Sequence, residues 1–251
     1  MKIAALYDIH GNFPALKAVL DELETIQPDL IVIGGDIVSG PMPDQILDCL
    51  LNLSKRINVE FIKGNGDREV VEASKGLELS HLSEQGRKTQ QWVAGELTEK
   101  HLEFLSGLQN TMEIHVEDVG DVLFCHATPE SDADIFTPLS SKERLETLFA
   151  HVEHPIVVCG HTHMQFRIEL GKTSIINSGS VGMPFAKRPG AYWLLIDSNG
   201  IKFKHTQFDL ERAAEDIRKS NFPTAEHFIK HNLLQIPNEK EAMILLEKTK
   251  P

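Results

Sequence analysis

The chain has 251 residues, enough for one large α/β unit with appended elements and short of two comfortable domains. Its hydrophobic (41%) and charged (25%) fractions match folded globular chains, which sets aside disordered and fibrous classes. A net charge of -12, from 25 Lys and Arg against 37 Asp and Glu, excludes a broad basic face for extended nucleic acid. No apolar run nears the roughly 18 residues of a membrane span. Asp8 interrupts the first apolar stretch too early for a secretory signal. Three cysteines make no disulfide framework, so a cytoplasmic setting is expected.

In chain order, Lys2–Tyr7, Leu30–Ile33 and Val59–Ile62 read as short buried strands. Between them lie two amphipathic helices, one capped by Asn12 and one over Asp44–Leu53. This β-α-β-α-β order with near-continuous apolar strands predicts parallel pairing and a covered sheet. Residues 68–107 turn helical and polar. Strands follow at Thr111–Val116, Val122–Cys125, Ile156–Cys159, Phe166–Glu169, Thr173–Ile176, Tyr192–Ile196 and Ile201–Thr206, interrupted by a helix over Lys142–Ala150. Leu210–Lys250 is helical again, broken at Pro223 and Pro237. The expected class is mixed α/β with two sheets and a C-terminal helical extension.

The polar residues fall at strand ends. Asp8-Ile9-His10, Gly35-Asp36, Gly64-Asn65-Gly66-Asp67, Cys125-His126 and Gly160-His161-Thr162-His163 each follow an expected strand. Parallel strands share one C-terminal rim, where α/β folds bind ligands, and the flanking glycines allow tight turns. Each motif alone reads as an ordinary turn. Five separate loops all choosing metal-ligand side chains do not. Carboxylate, imidazole and carboxamide donors without thiolate suit Mn, Fe, Zn, Co or Ni. Seven such donors exceed one ion's needs and match two ions about 3.5–4 Å apart that share a carboxylate and activate a water.

These motifs, in this order, resemble the calcineurin-like metallophosphoesterase superfamily, and the chain looks most like its small bacterial phosphoesterases. The resemblance covers residues 1–206 and implies a four-layer α/β/β/α sandwich. It implies that Asp8, His10 and His163 hold one metal, that Asn65, His126 and His161 hold the other, and that Asp36 bridges them. Domain limits of 1–208 for the phosphoesterase unit, with 68–107 as a helical insertion overhanging the site, and 209–251 for the extension follow from it. The implied activity is hydrolysis of phosphodiesters or phosphoanhydrides, nucleotides and dinucleoside polyphosphates included. A weakened metal-binding scaffold of the same fold is the alternative. The expected partner is a small phosphorylated substrate; neither a membrane nor extended nucleic acid is expected, and an oligomer stays open.

The superfamily's third motif usually carries a histidine after the asparagine, credited with protonating the leaving group. Here Gly66 stands in that place. The loss reads as chemical, since glycine still makes the turn, and Gly66→His is expected to restore the acid. Without it, good leaving groups such as phosphoanhydrides and aryl phosphates are expected to be preferred. Asp36 and Asn65 count among the catalytic candidates through the metals they hold. Arg68 joins them, expected either to grip a phosphate oxygen or to pair with a nearby acid. Ser178 and Ser180, in the segment Asn177-Ser178-Gly179-Ser180-Val181-Gly182, are expected to line the pocket or to form a structural turn, and Arg87, Lys88 and Trp92 are candidate nucleotide contacts or, the safer reading, part of a packed helix pair.

Overall fold

A computed structural model describes residues 1–248; the last three residues of the expected tail, 249–251, lie outside the described residues. Strands β1 (Ile3–Leu6), β2 (Leu30–Ile33) and β3 (Val59–Phe61) alternate with helices α1 (Phe13–Ile26) and α2 (Pro43–Leu53). Three helices then run consecutively, α3 (Asn65–Ser74), α4 (Glu84–Glu96) and α5 (Glu99–Ser106). They lead to β4 (Thr111–Val116), β5 (Gly120–Cys125), α6 (Lys142–Leu148), β6 (Ile156–Cys159), β7 (Gln165–Leu170), β8 (Thr173–Ser178), β9 (Ala191–Asp197) and β10 (Gly200–Thr206). The tail holds α7 (Leu210–Lys219), α8 (Ala225–Phe228) continuing into a π-turn over Ile229–Leu234, and α9 (Glu239–Lys248).

The strands form two five-stranded sheets, in orders β10-β9-β1-β2-β3 and β4-β5-β6-β8-β7. β1, β2 and β3 pair in parallel, as do β5, β6 and β8, and both sheets gain antiparallel partners at their margins. Strand alternation explains the packing. In β1, Ile3 and Ala5 face the second sheet while Ala4 and Leu6 face the helices. Tyr7, Val32, Leu194, Phe124, Val158 and Ile176 fill the layer between the sheets. α1, α2, α3, α4 and α5 cover the first sheet through Leu16, Val19, Leu47, Val70, Val93 and Leu105. The outer face of the second sheet, Leu123, Val157 and Ile175, is covered by Leu145 of α6 and Ala242 of α9. The order of layers is α/β/β/α, as expected.

The tail differs from an appended unit. α9 supplies part of the fourth layer, and Glu247 accepts hydrogen bonds from Thr137 Oγ1 and Ser140 Oγ, both at 2.7 Å. α7 and α8 pack instead against Met42, Phe13 and Trp92 on the opposite side. Pro237 separates segments that serve different layers, whereas Pro223 lies between α7 and α8, which share one. Phe124, fully buried between the sheets, is the test of that layer. Phe124→Ala is expected to cost about 3–5 kcal/mol, read as a shift in denaturant midpoint at unchanged slope.

Candidate metal centre

The strand ends that carry the motifs meet on one rim where the two sheets converge. Backbone bonds lace the loops together: Asp8 N donates to Gly35 O (3.1 Å), His10 N to Asp36 O (2.9 Å) and Gly160 N to His126 O (2.8 Å). Glycine lets them approach this closely. A Cβ on Gly64 would lie 2.2 Å from Asp36 Oδ1, and one on Gly160 would lie 2.4 Å from Asp8 Oδ2. Eight non-glycine residues take positive φ, and five of them are candidate ligands: Asp8, His10, Asp36, His161 and His163. Such conformations cost about 1–3 kcal/mol each and concentrate at functional sites.

Two overlapping groups result. Asp8, His10, Asp36 and His163 form one, and Asp36, His126 and His161 the other; in each group all ligand atoms lie within 4.8 Å of one another. Asp36 belongs to both, the place expected of a bridge. Asn65 closes the second group. With its Nδ2 turned to Glu69 Oε1 (3.4 Å), its Oδ1 lies 3.0 Å from His161 Nδ1 and 3.3 Å from the Asp132 carbonyl, and the reversed amide would turn both into hydrogen bonds.

The ring orientations fit a cation. His10, His126 and His163 direct Nδ1 to the carbonyls of Ser39 (3.2 Å), Gly34 (2.9 Å) and Met183 (2.8 Å). A proton on each Nδ1 leaves each Nε2 facing the centre with its lone pair, the arrangement of metal-bound imidazoles. His10 Nε2 and His163 Nε2 lie 3.0 Å apart, a contact that needs a proton or an ion between them. Asp8 Oδ1 is buried with no hydrogen-bond partner, although His163 Nε2 is 3.4 Å away. An orphaned carboxylate oxygen, converging lone pairs and a donor set free of thiolate together fit two hard-to-borderline divalent cations. No cysteine faces the centre: Cys125 and Cys159 are buried in the layer under α6 and α9.

The titration behaviour has the same origin. Burial by itself would raise both carboxyls, but the imidazoles outweigh it, so Asp8 and Asp36 are held below the usual carboxylate range. Burial opposes charge on His126, yet Asp36 and Asp8 prevail and raise it to about 10. For His161 burial wins, reinforced by His126, and its pKa falls to about 4. Without cations the pocket therefore keeps protons on some imidazoles and strips them from others.

Two residues of the quoted segments support the candidate ligands. Asp67, fully buried, accepts from Gly64 N (3.0 Å) through one oxygen and from Ile37 N (2.9 Å) through the other. It thus ties the second loop to the third. Burial and then Asp36 raise its pKa to about 7. Asn177 Nδ2 donates to Gly160 O and to Thr162 Oγ1, fixing the last histidine loop. Its side-by-side amide and carbonyl demands were visible in the sequence only as a turn-rich segment.

Between the alternatives left open by the sequence, the contacts decide. Ser178 and Ser180 are fully buried; their hydroxyls donate to Ala5 O (3.1 Å) and Asp8 O (2.7 Å), so they brace the ligand loops from behind and line no pocket. Arg68 is committed to Asp132 through Nε (2.7 Å) and Nη2 (3.0 Å), with Glu72 at 3.4 Å from Nη1, which leaves little of its fork for a phosphate. Trp92 packs edge-on against Phe222, and Lys88 pairs with Glu84 along the outside of α4. At Gly66 the chemical loss coincides with a tight contact. It is the second residue of α3, and a Cβ there would lie 2.5 Å from Ser39 Oγ and 3.0 Å from Asp36 Oδ1.

Comparison with known proteins agrees with this geometry. The chain is 26% identical over 239 residues to an uncharacterised protein of Methanocaldococcus jannaschii, covering 88% of this chain and 93% of that one. Its fold is similar to a hypothetical protein of Pyrococcus horikoshii OT3, with a TM-score of 0.80 at 22% identity over 94% and 99% of the two chains. A metallophosphoesterase from Sphaerobacter thermophilus gives a TM-score of 0.71 at 24% identity over 92% and 97%. The calcineurin-like phosphoesterase superfamily domain matches residues 1–199, which include every candidate ligand. The chain belongs to that superfamily.

Proposed function

We propose that this protein is a two-metal hydrolase of phosphate esters or anhydrides acting on small phosphorylated compounds. The observation that carries this reading is the shared position of Asp36 in two ligand groups, beside an Asp8 oxygen that has no partner of its own. Mn, Fe, Zn, Co and Ni all suit the donor set. When bound, such a pair supplies an activated water and positive charge for the phosphoryl oxygens.

The chain's own residues have three tasks. Asp8, His10 and His163 would hold one ion and Asn65, His126 and His161 the other, with Asp36 available to both. The backbone carbonyls of Ser39, Gly34 and Met183 fix the tautomers that make three of those rings ligands. Asp67 keeps the loop of Asp36 against the loop of Asn65. Gly66 offers no proton to the leaving group, and a side chain there would have to displace the Ser39 hydroxyl. Substrates with good leaving groups follow from that. Three free thiols and the absence, among the described residues, of a helix long and apolar enough to cross a membrane support a cytoplasmic setting.

Protein purified without chelator and supplied with Mn²⁺ is expected to bind two ions per chain and to turn over bis(p-nitrophenyl) phosphate. Two bound ions with no turnover of aryl or anhydride substrates would favour the scaffold reading instead. Asp36→Asn is expected to lose more metal affinity than the roughly 10–100-fold typical of outer-shell partners, with stoichiometry measured by elemental analysis. Gly66→His is expected to raise turnover of an alkyl phosphodiester more than that of an aryl one, with the Ser39 hydroxyl turned aside. Gly66→Ala is expected to cost about 0.5–1.5 kcal/mol through the lost Ser39–Gln90 hydrogen bond, read by thermal melts with and without Mn²⁺.

A further inference from the structure

A cavity of about 320 Å³ adjoins the centre, with His126 in its wall and Lys63, Arg68 and Asn110 among its lining. That volume is at the small end of ligand sites. Its two cations are not equivalent. Arg68 is already neutralised by Asp132 at 2.7 Å and faces Glu72 as well. Lys63 forms no ion pair among the described residues. The acid left over in the lining, Glu130, is exposed at the rim.

The backbone holds Lys63 where it is. It follows β3 directly, Ile62 bridges to Gln109, and Lys63 N donates to Gln109 O at 2.8 Å. The next residues, Gly64 and Asn65, open α3 and deliver a metal ligand. The backbone of a lysine that lines the cavity is therefore fixed directly before the loop of Asn65, in a chain whose net charge is -12. A cation kept unpaired in such a chain, inside a cavity that shares a wall with a phosphoryl-transfer centre, is suited to a second anionic group.

We propose that this cavity is a subsite for the leaving phosphate of a phosphoanhydride, with Lys63 as its binding cation. The proposal rests on the hydrolase reading above and adds the substrate class. Water oxygen bonds to the attacked phosphorus, and the bridging P–O bond breaks with its electron pair leaving on the second phosphate. The protons of the water end on the two product phosphates or in solvent. A phosphate leaving as an anion needs charge neutralisation more than protonation, which is what Lys63 offers and what the missing acid at Gly66 leaves undone. Arg68 is a positioning residue here: its bond to Asp132 joins the loop after β5 to α3 and so shapes the cavity.

Two readouts separate this subsite from the hydrolase reading. The first is calorimetric binding of imidodiphosphate, a P–N–P analogue that resists hydrolysis, and of inorganic phosphate to Mn²⁺-loaded protein. Imidodiphosphate is expected to bind more tightly, and Lys63→Met to reduce that advantage at least tenfold, with Lys63→Arg restoring most of it. The second is the ratio of kcat/KM for a nucleoside triphosphate to that for bis(p-nitrophenyl) phosphate, expected to fall at least tenfold in Lys63→Met. An unchanged binding advantage and an unchanged ratio would overturn the subsite while leaving the hydrolase standing. Loss of the binding advantage in a protein that hydrolyses neither compound would uphold the subsite and sink the hydrolase.

Discussion

Two carboxylates, Asp8 and Asp36, are buried side by side where the sheets meet, and the structure around them is arranged to keep both ionised. Removing an isolated carboxylate from water is far too costly to go uncompensated. Part of the compensation is backbone: His161 N donates to Asp8 Oδ2 at 2.9 Å and Gly66 N to Asp36 Oδ1 at 2.7 Å. The rest comes from protonated His126 and His163, both raised by the carboxylates, and it is incomplete. Asp8 Oδ1 has no partner, and His126 holds a proton up to about pH 10 because Asp36 and Asp8 overcome its burial. The pocket is short of positive charge, and two divalent cations are the size and sign of what it lacks. Metal binding at this centre displaces protons, so it weakens as the pH falls.

That demand reaches into the backbone. For ligand atoms from five loops to converge, the loops must approach closer than side chains permit, and glycine stands at the tightest contacts. The same convergence forces aspartates and histidines into left-handed φ, where Asp and His are tolerated better than most residues. Strain of this kind persists only when the surroundings over-determine it. Here they do: the layer between the sheets locks β1 against β5 and β6, and Tyr7 Oη reaches across to Val158 O at 3.0 Å, one residue before the first ligand. A rigid double sheet is what allows a strained rim.

The legible part of this design was whatever is local in sequence. Leu30–Ile33 and Ile156–Cys159 are apolar runs of strand length, and the structure has strands over the same residues; Asn12 caps α1 as its position implied. The ligands were legible because each sits directly after such a run. What could not be read depends on partners distant in the chain. Arg68 finds Asp132, 64 residues away, so a side chain that matches phosphate in isolation is already matched. Ser178 and Ser180 reach back across more than 170 residues to β1 and Asp8. The tail helices show amphipathic spacing without revealing that α9 covers one sheet and α7 a corner of the other.

Gly66 joins these threads. As a letter in a motif it is a missing acid; in space it is the point where α3 starts beneath Ser39, whose hydroxyl donates to Gln90 Oε1 at 3.1 Å. Gln90 Nε2 in turn donates to Glu69 Oε2 at 2.9 Å, and Glu69 Oε1 faces the amide of Asn65. The loop of Asp36, helix α4 and the helix that carries Asn65 are thereby held in one hydrogen-bonded network, and a side chain at position 66 would first displace the Ser39 hydroxyl from it. On the proposed reading, the choice of leaving group would then depend on that network as well as on one residue. A centre without a proton donor at position 66 would need its substrate to bring a stable leaving group, and a cavity that receives such a group as an anion would be its complement.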